Sequence, residues 1–134
     1  MAIQPTYVTF EQAKKFKEKG FDEYTTFLYC TEYSPYFGGQ YGKTYLINRD
    51  KLREPSWLDY KYIIAPEQWL VVEWLRVNHN IWITIRFDAC DTGYYDVHIS
   101  VRGDRKIDYR PPYYYETPQE AYSEAFDYIL NNLI

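Results

Sequence analysis

A chain of 134 residues with 46% hydrophobic and 25% charged side chains can bury a core of its own, and its balance argues against disorder. Its net charge of −4 argues against a general binder of duplex nucleic acid, which needs a basic surface. The sequence shows no apolar run near the ~20 residues of a membrane span, and MAIQPTYVTF lacks the basic and apolar regions of a secretory signal. One cytoplasmic domain over residues 1–134 is therefore expected, with no membrane partner.

The predicted elements begin with a helix. Thr9-Phe10-Glu11-Gln12 fits a capping box, in which a threonine oxygen and a glutamine side chain satisfy the first orphan N–H groups. The helix should run to about Lys19 and stop at Gly20, with Phe10, Ala13 and Phe16 facing inward. Residues 26–33, TFLYCTEY, read as a strand. Residues 34–43, SPYFGGQYGK, read as a loop, and 44–48, TYLIN, as a second strand. A short extended piece is expected from Tyr60 to Ile64.

A second helix is predicted from Pro66, where a missing N–H costs nothing, to a left-handed stop at Asn78 or Asn80. Leu70, Trp74 and Val77 share one face, Val71 and Leu75 widen it, and Trp69 and Val72 fall on the other. A helix apolar nearly all round is expected to be covered from two sides. Self-association hiding Trp69, Val72 or the tyrosine-rich loop follows as an expectation.

The strongest periodicity lies in 81–102. Ile81, Ile83, Ile85 and Phe87 alternate with polar residues, as do Tyr95, Val97, Ile99 and Val101, with Asp91-Thr92-Gly93 in the turn. A further strand runs through Ile107 and Tyr109 and is stopped by Pro111-Pro112. The last helix opens with Thr117-Pro118-Gln119-Glu120, a capping box with proline at its first position. Ala121, Tyr122, Ala125, Phe126, Ile129, Leu130 and Leu133 lie on its apolar stripe, and Glu120, Glu124, Asp127 and Asn131 on its solvated face. The expected fold class is α+β: a two-layer, mainly antiparallel sheet with helices on one face, in the order α-β-β-α-β-β-β-α. Ile83, Ile85, Val97, Ile99 and Val101 should be buried together beneath Phe126 and Leu130.

The segments TFEQAKKFKEKGF, APEQWLVVEWLRVNHNI and YETPQEAYSEAFDYILNNLI resemble a family of small proteins, without an assigned activity, from gut Bacteroidales and their phages. The shared features are structural, and the resemblance implies a phage or prophage accessory origin. It implies no cofactor and no site residue.

Chemical motifs are sparse. Cys30 and Cys90 lack metal-ligand spacing and read as two buried, reduced thiols. In Gly38-Gly39-Gln40-Tyr41-Gly42-Lys43-Thr44 the glycine that a P-loop requires is replaced by Phe37, and a strand follows instead of a helix. A glycine-rich turn presenting backbone N–H groups and Lys43 to an anion is the looser reading. His79 sits in a last helical turn, where an imidazolium suits the dipole. Asp96, His98 and Ser100 share one strand face as a flat row, which lacks the nested geometry of a catalytic triad. Asp88 and Asp91 are explained by turn chemistry. No catalytic residue, metal or cofactor is assigned.

The outlier is aromatic content: four Trp, 17 Tyr and seven Phe, or 21%. So many phenols do not fit one core, because each buried hydroxyl needs a hydrogen-bond partner. Tyrosine is also favoured in contact surfaces. Candidate binding residues are Tyr36, Tyr41 and Lys43 in the loop, and Trp82, Arg86, Tyr94 and His98 on the polar hairpin face; the plainer alternative there is an ordinary solvated sheet face in which Trp82 packs across to Tyr94. The expected function is a non-enzymatic binding module for a host protein or a second copy of itself. A nucleotide ligand is the alternative, and a small hydrolase the least favoured reading.

Overall fold

The computed structural model describes residues 4–33, 41–52, 59–90 and 92–134. Its elements are α1 (Phe10–Glu18), β1 (Phe27–Tyr33), β2 (Tyr41–Asn48), a 3-10 turn (Arg49–Lys51), β3 (Asp59–Ile64), α2 (Gln68–His79), β4 (Ile81–Phe87), β5 (Tyr95–Val101), β6 (Asp104–Tyr109) and α3 (Pro118–Asn132). The class is α+β and the predicted order holds, with the extended piece before Pro66 forming the full strand β3. The strands do not make one sheet, however. They form two antiparallel three-stranded sheets, ordered β2-β1-β3 and β4-β5-β6. β3 returns to the free edge of β1, which makes β1 the central strand of the first sheet, and β4 opens a separate sheet by pairing with β5. The chain divides correspondingly into two compact units, Tyr7–Pro66 and Met1–Thr6 with Glu67–Ile134.

In the unit Tyr7–Pro66, the capping box closes as read. Thr9 Oγ1 accepts from the Gln12 N–H at 3.1 Å, and Gln12 Oε1 accepts from the Thr9 N–H at 3.0 Å. Gly20, at φ 98°, ends the helix in a conformation that disfavours side chains. Ala13 and Phe16 are buried as expected, together with Gln12, while Phe10 is half-buried and meets Tyr29 at 5.5 Å between ring centroids. The Tyr29 hydroxyl donates to the Val8 carbonyl, and burial raises its pKa. The predicted loop 34–43 is shorter at its end: Tyr41, Gly42 and Lys43 belong to β2, beside a register shift against β1.

In the other unit, α2 begins at Gln68 and not at Pro66; Glu67 is its N-cap. It ends at Asn80, whose φ of 55° supplies the predicted left-handed stop. Its burial is one-sided: Val71, Trp74 and Leu75 are enclosed, whereas Trp69 is 62% and Val77 64% exposed. Among the described residues no second layer of the chain covers the helix, and Val77, expected on the face with Leu70 and Trp74, is exposed instead. A single helix needs only one apolar stripe against its sheet, and Trp69 and Val77 lie off that stripe.

The hairpin β4–β5 runs Trp82 opposite Ser100, Thr84 opposite His98 and Arg86 opposite Asp96. Its turn is closed by the Asp88 N–H to the Tyr94 carbonyl at 2.9 Å and the Gly93 N–H to the Asp88 carbonyl at 2.7 Å. Asp91 lies outside the described residues. Helix α3 packs on β5 and β4, and Tyr128 stacks on Tyr109 at 3.7 Å between ring centroids. Thr117 caps α3 by accepting from the Glu120 N–H, while the Glu120 carboxylate reaches the Glu116 N–H instead of the cap residue's own. Of the predicted stripe, Ala121, Ala125, Phe126, Ile129 and Leu130 are buried, whereas Tyr122 at its margin and Leu133 at the helix end are half-buried. Of the five strand residues expected beneath it, Val97 and Ile99 are enclosed, but Ile83, Ile85 and Val101 are half-buried. Among the described residues no helix is long and apolar enough to cross a membrane.

Candidate functional site

A groove of about 340 Å³ opens on the polar face of the β4–β5 hairpin. Its floor is Thr84, Arg86, Asp96 and His98, and its wall is the segment Arg110–Tyr114. The wall exists because of two prolines. β6 pairs with β5 up to Tyr109 opposite Ile99. Pro111 and Pro112 carry no N–H and cannot continue the ladder. The chain bulges outward, then returns with Tyr115 opposite Tyr95, where the two residues exchange N–H···O=C bonds of 2.8 Å.

That interruption leaves a gap along one edge of β5. Since Tyr95 directs its backbone N–H and C=O toward Tyr115, Val97, two residues on, directs its own to the same side. Its side chain is buried in the opposite face, so Val97 offers the groove its backbone.

Charged groups on the floor are already paired. Arg86 donates to the Asp96 carboxylate at 2.7 Å, and that contact holds the guanidinium firmly protonated. His98 is hydrogen-bonded to Asp108 of β6. Arg110 on the wall is exposed and, among the described residues, makes no ion pair or hydrogen bond. Beside it Tyr113 and Tyr114 are 68% and 54% exposed. Burial, and after it the Glu124 carboxylate, raises the pKa of Tyr115, the residue that ties the bulge back.

The predicted site residues are distributed unevenly over this geometry. Arg86 and His98 come together on the groove floor. Trp82 and Tyr94 do not: Trp82 faces Ser100 near the start of β4, while Tyr94 lies at the hairpin turn, so the packing between them that an ordinary sheet face would have used is absent. Strand register sets them at opposite ends. Trp82 instead carries the Arg76 guanidinium over its ring at 5.5 Å. Tyr36 lies outside the described residues, as do Gly38, Gly39 and Gln40 of the suggested anion loop; the Tyr41 side chain is likewise outside them. Lys43 is exposed, but on strand β2.

The row Asp96, His98, Ser100 is not a triad, because Asp96 pairs with Arg86 and His98 with Asp108. Cys30 is buried as expected, but Cys90 is exposed in the turn after β4, where a chain reversal leaves its side chain no layer to enter. Among the described residues no group of three His, Cys, Asp or Glu side chains is placed to hold a metal ion.

Arg110, Tyr113 and Tyr114 were missed by the reading of the sequence. The available signal was the RPPYYY run itself: a proline pair that must break a ladder, flanked by a cation and large rings. A second concave surface, about 420 Å³, lies in the same unit between the starts of α2 and α3, lined by Trp69, Val72, Pro118 and Tyr122 among others. In comparisons with known proteins the chain matches no family model, no curated protein and no solved structure.

Proposed function

We propose that the chain is a non-enzymatic binding module that holds an extended segment of another protein in the β5 groove. The observation that carries this reading is the Arg110 guanidinium, unpaired among the described residues, beside two exposed tyrosines, at a place where the β5 ladder is interrupted. An extended segment can bond the free backbone edge at Val97, as added strands do, while an acidic side chain meets Arg110 and the rings supply contact area. The setting proposed for it is that of a phage or prophage accessory protein acting on a host protein in the cytoplasm.

The test is affinity capture from the producing cell, followed by titration of the captured partner against variants whose thermal melts match the parent. Arg110→Ala combined with Tyr114→Ala should weaken binding by roughly 30-fold, about 2 kcal/mol, the scale of an interface hot spot. A partner that binds the double variant as tightly as the parent places the site elsewhere. Mononucleotides added to the parent form the second arm. A ligand at ~100 Kd would add about 2.7 kcal/mol of stability, and such a shift, lost in the same variant, would replace the protein partner with a nucleotide.

A further inference from the structure

Strand β4 lies at the edge of its sheet. Asp88 N–H bonds the Tyr94 carbonyl and Arg102 N–H the Asn80 carbonyl, both at 2.9 Å. Even-numbered residues of β4 therefore exchange bonds with β5, and Ile81, Ile83, Ile85 and Phe87 direct their N–H and C=O groups outward. Among the described residues no strand pairs with that edge. The opposite edge strand, β6, carries four charges in DRKIDY and runs into Pro111-Pro112, the usual protections against strand addition. β4, IWITIRF, has a single charge, no proline and six strongly strand-forming residues.

We propose that two copies of the chain pair antiparallel through β4, joining two three-stranded sheets into one of six strands. The register that pairs all seven residues has its two-fold axis at Thr84. It sets Ile83 of one copy opposite Ile85 of the other and Ile81 opposite Phe87, all on the apolar face. On the polar face it sets Thr84 opposite Thr84 and Trp82 opposite Arg86, a cation against a ring. Each side chain that β4 leaves open thus finds a complement in the same strand of a second copy: Phe87 is 52% and Trp82 42% exposed, and Ile83 and Ile85 are half-buried. Sliding the register by two residues leaves strand ends unpaired and moves Trp82 to Thr84 or Asp88. This inference does not rest on the groove having a ligand, since its readout is mass.

Sedimentation of the parent at micromolar concentration should give twice the 16.3 kDa chain mass. Thr84→Lys sets two ammonium groups against each other on the axis and should raise the dimer Kd about tenfold or more. Mixing Thr84→Lys with Thr84→Glu should restore a heterodimer, which guards against a variant that merely misfolds. Thr84→Cys in a Cys90→Ser background should form an interchain disulfide on mild oxidation, because residues opposite each other at a non-hydrogen-bonded site are ~4.5 Å apart at Cα. A monomeric parent overturns the proposal. So does a dimer that Thr84→Lys leaves intact, or one that Thr84→Cys does not cross-link, as association through Trp69 on α2 would give.

Discussion

In β5, Val97 and Ile99 are enclosed, at 2% and 0% exposure, whereas in β4 Ile83 and Ile85, facing the same side, stay half open. The two strands carry the same alternation and the same kind of apolar side chain. What separates them is position: β5 is central and lies beneath α3 with a neighbour on either side, while β4 forms an edge. Edge position is not the whole account: Ile81 of β4 is enclosed at 2%, and Val97 is enclosed although it lies beside the gap left by the prolines, so cover from the layer above counts together with the strands beside a residue. Periodicity identifies the face a residue points to; it carries no information on how many neighbours flank the strand.

The sharpest way to break this comparison is truncation on each arm. Ile99→Ala should cost about 2–5 kcal/mol in a urea unfolding titration, the range for a fully enclosed isoleucine. Ile83→Ala should cost roughly half as much, since part of its surface is already in water. Equal losses would show that the β4 edge is covered. A gap that narrows as protein concentration rises would show the second copy covering it.

The entry to β4 gives a smaller effect. Asn80 holds φ 55° between α2 and the strand, a conformation that costs an ordinary residue ~1–2 kcal/mol. Asn80→Ala should therefore lower stability by about 1 kcal/mol, and Asn80→Gly should leave it near the parent value.

The smallest effect lies on the flank of β5. Burial favours the neutral phenol of Tyr115 in the folded chain and raises its pKa above the unfolded value of 10.0. Its contribution is present in full below that pH and is lost as pH rises through the folded value. Stability should thus be level from neutrality to the unfolded value and fall above it. Tyr115→Phe should soften the alkaline fall, and the Tyr29 phenol of the other unit, raised by burial, should account for part of what remains. Denaturant titrations of parent and variant across this range read the difference.

Much of the local structure was legible before folding was considered. Thr9 with Gln12 and Thr117 before Pro118 marked helix starts because caps act within three residues. Gly20 and Asn80 marked ends because left-handed backbone is confined to few residue types. The alternation in 81–102 identified both arms of the hairpin and the inward faces of Val97 and Ile99. Half of the groove floor, Arg86 and His98, followed from that same alternation.

Long-range pairing was beyond such reasoning. Trp82 and Tyr94 share a polar face in sequence but are separated by register, and Asp96 and His98 are occupied by Arg86 and by Asp108 from a strand away. The groove wall requires knowing that Tyr115 returns to Tyr95 after the prolines. The split of six strands into two sheets depends on which strands pair, β3 with β1 and β4 with β5. By itself the sequence determined the elements, their order and the faces they bury, since propensity, capping and periodicity act over a few residues. Tertiary structure alone decided which strands became edges, which charges were left unpaired and where the groove opened. Those depend on contacts between residues far apart in the chain, and no local pattern encodes them.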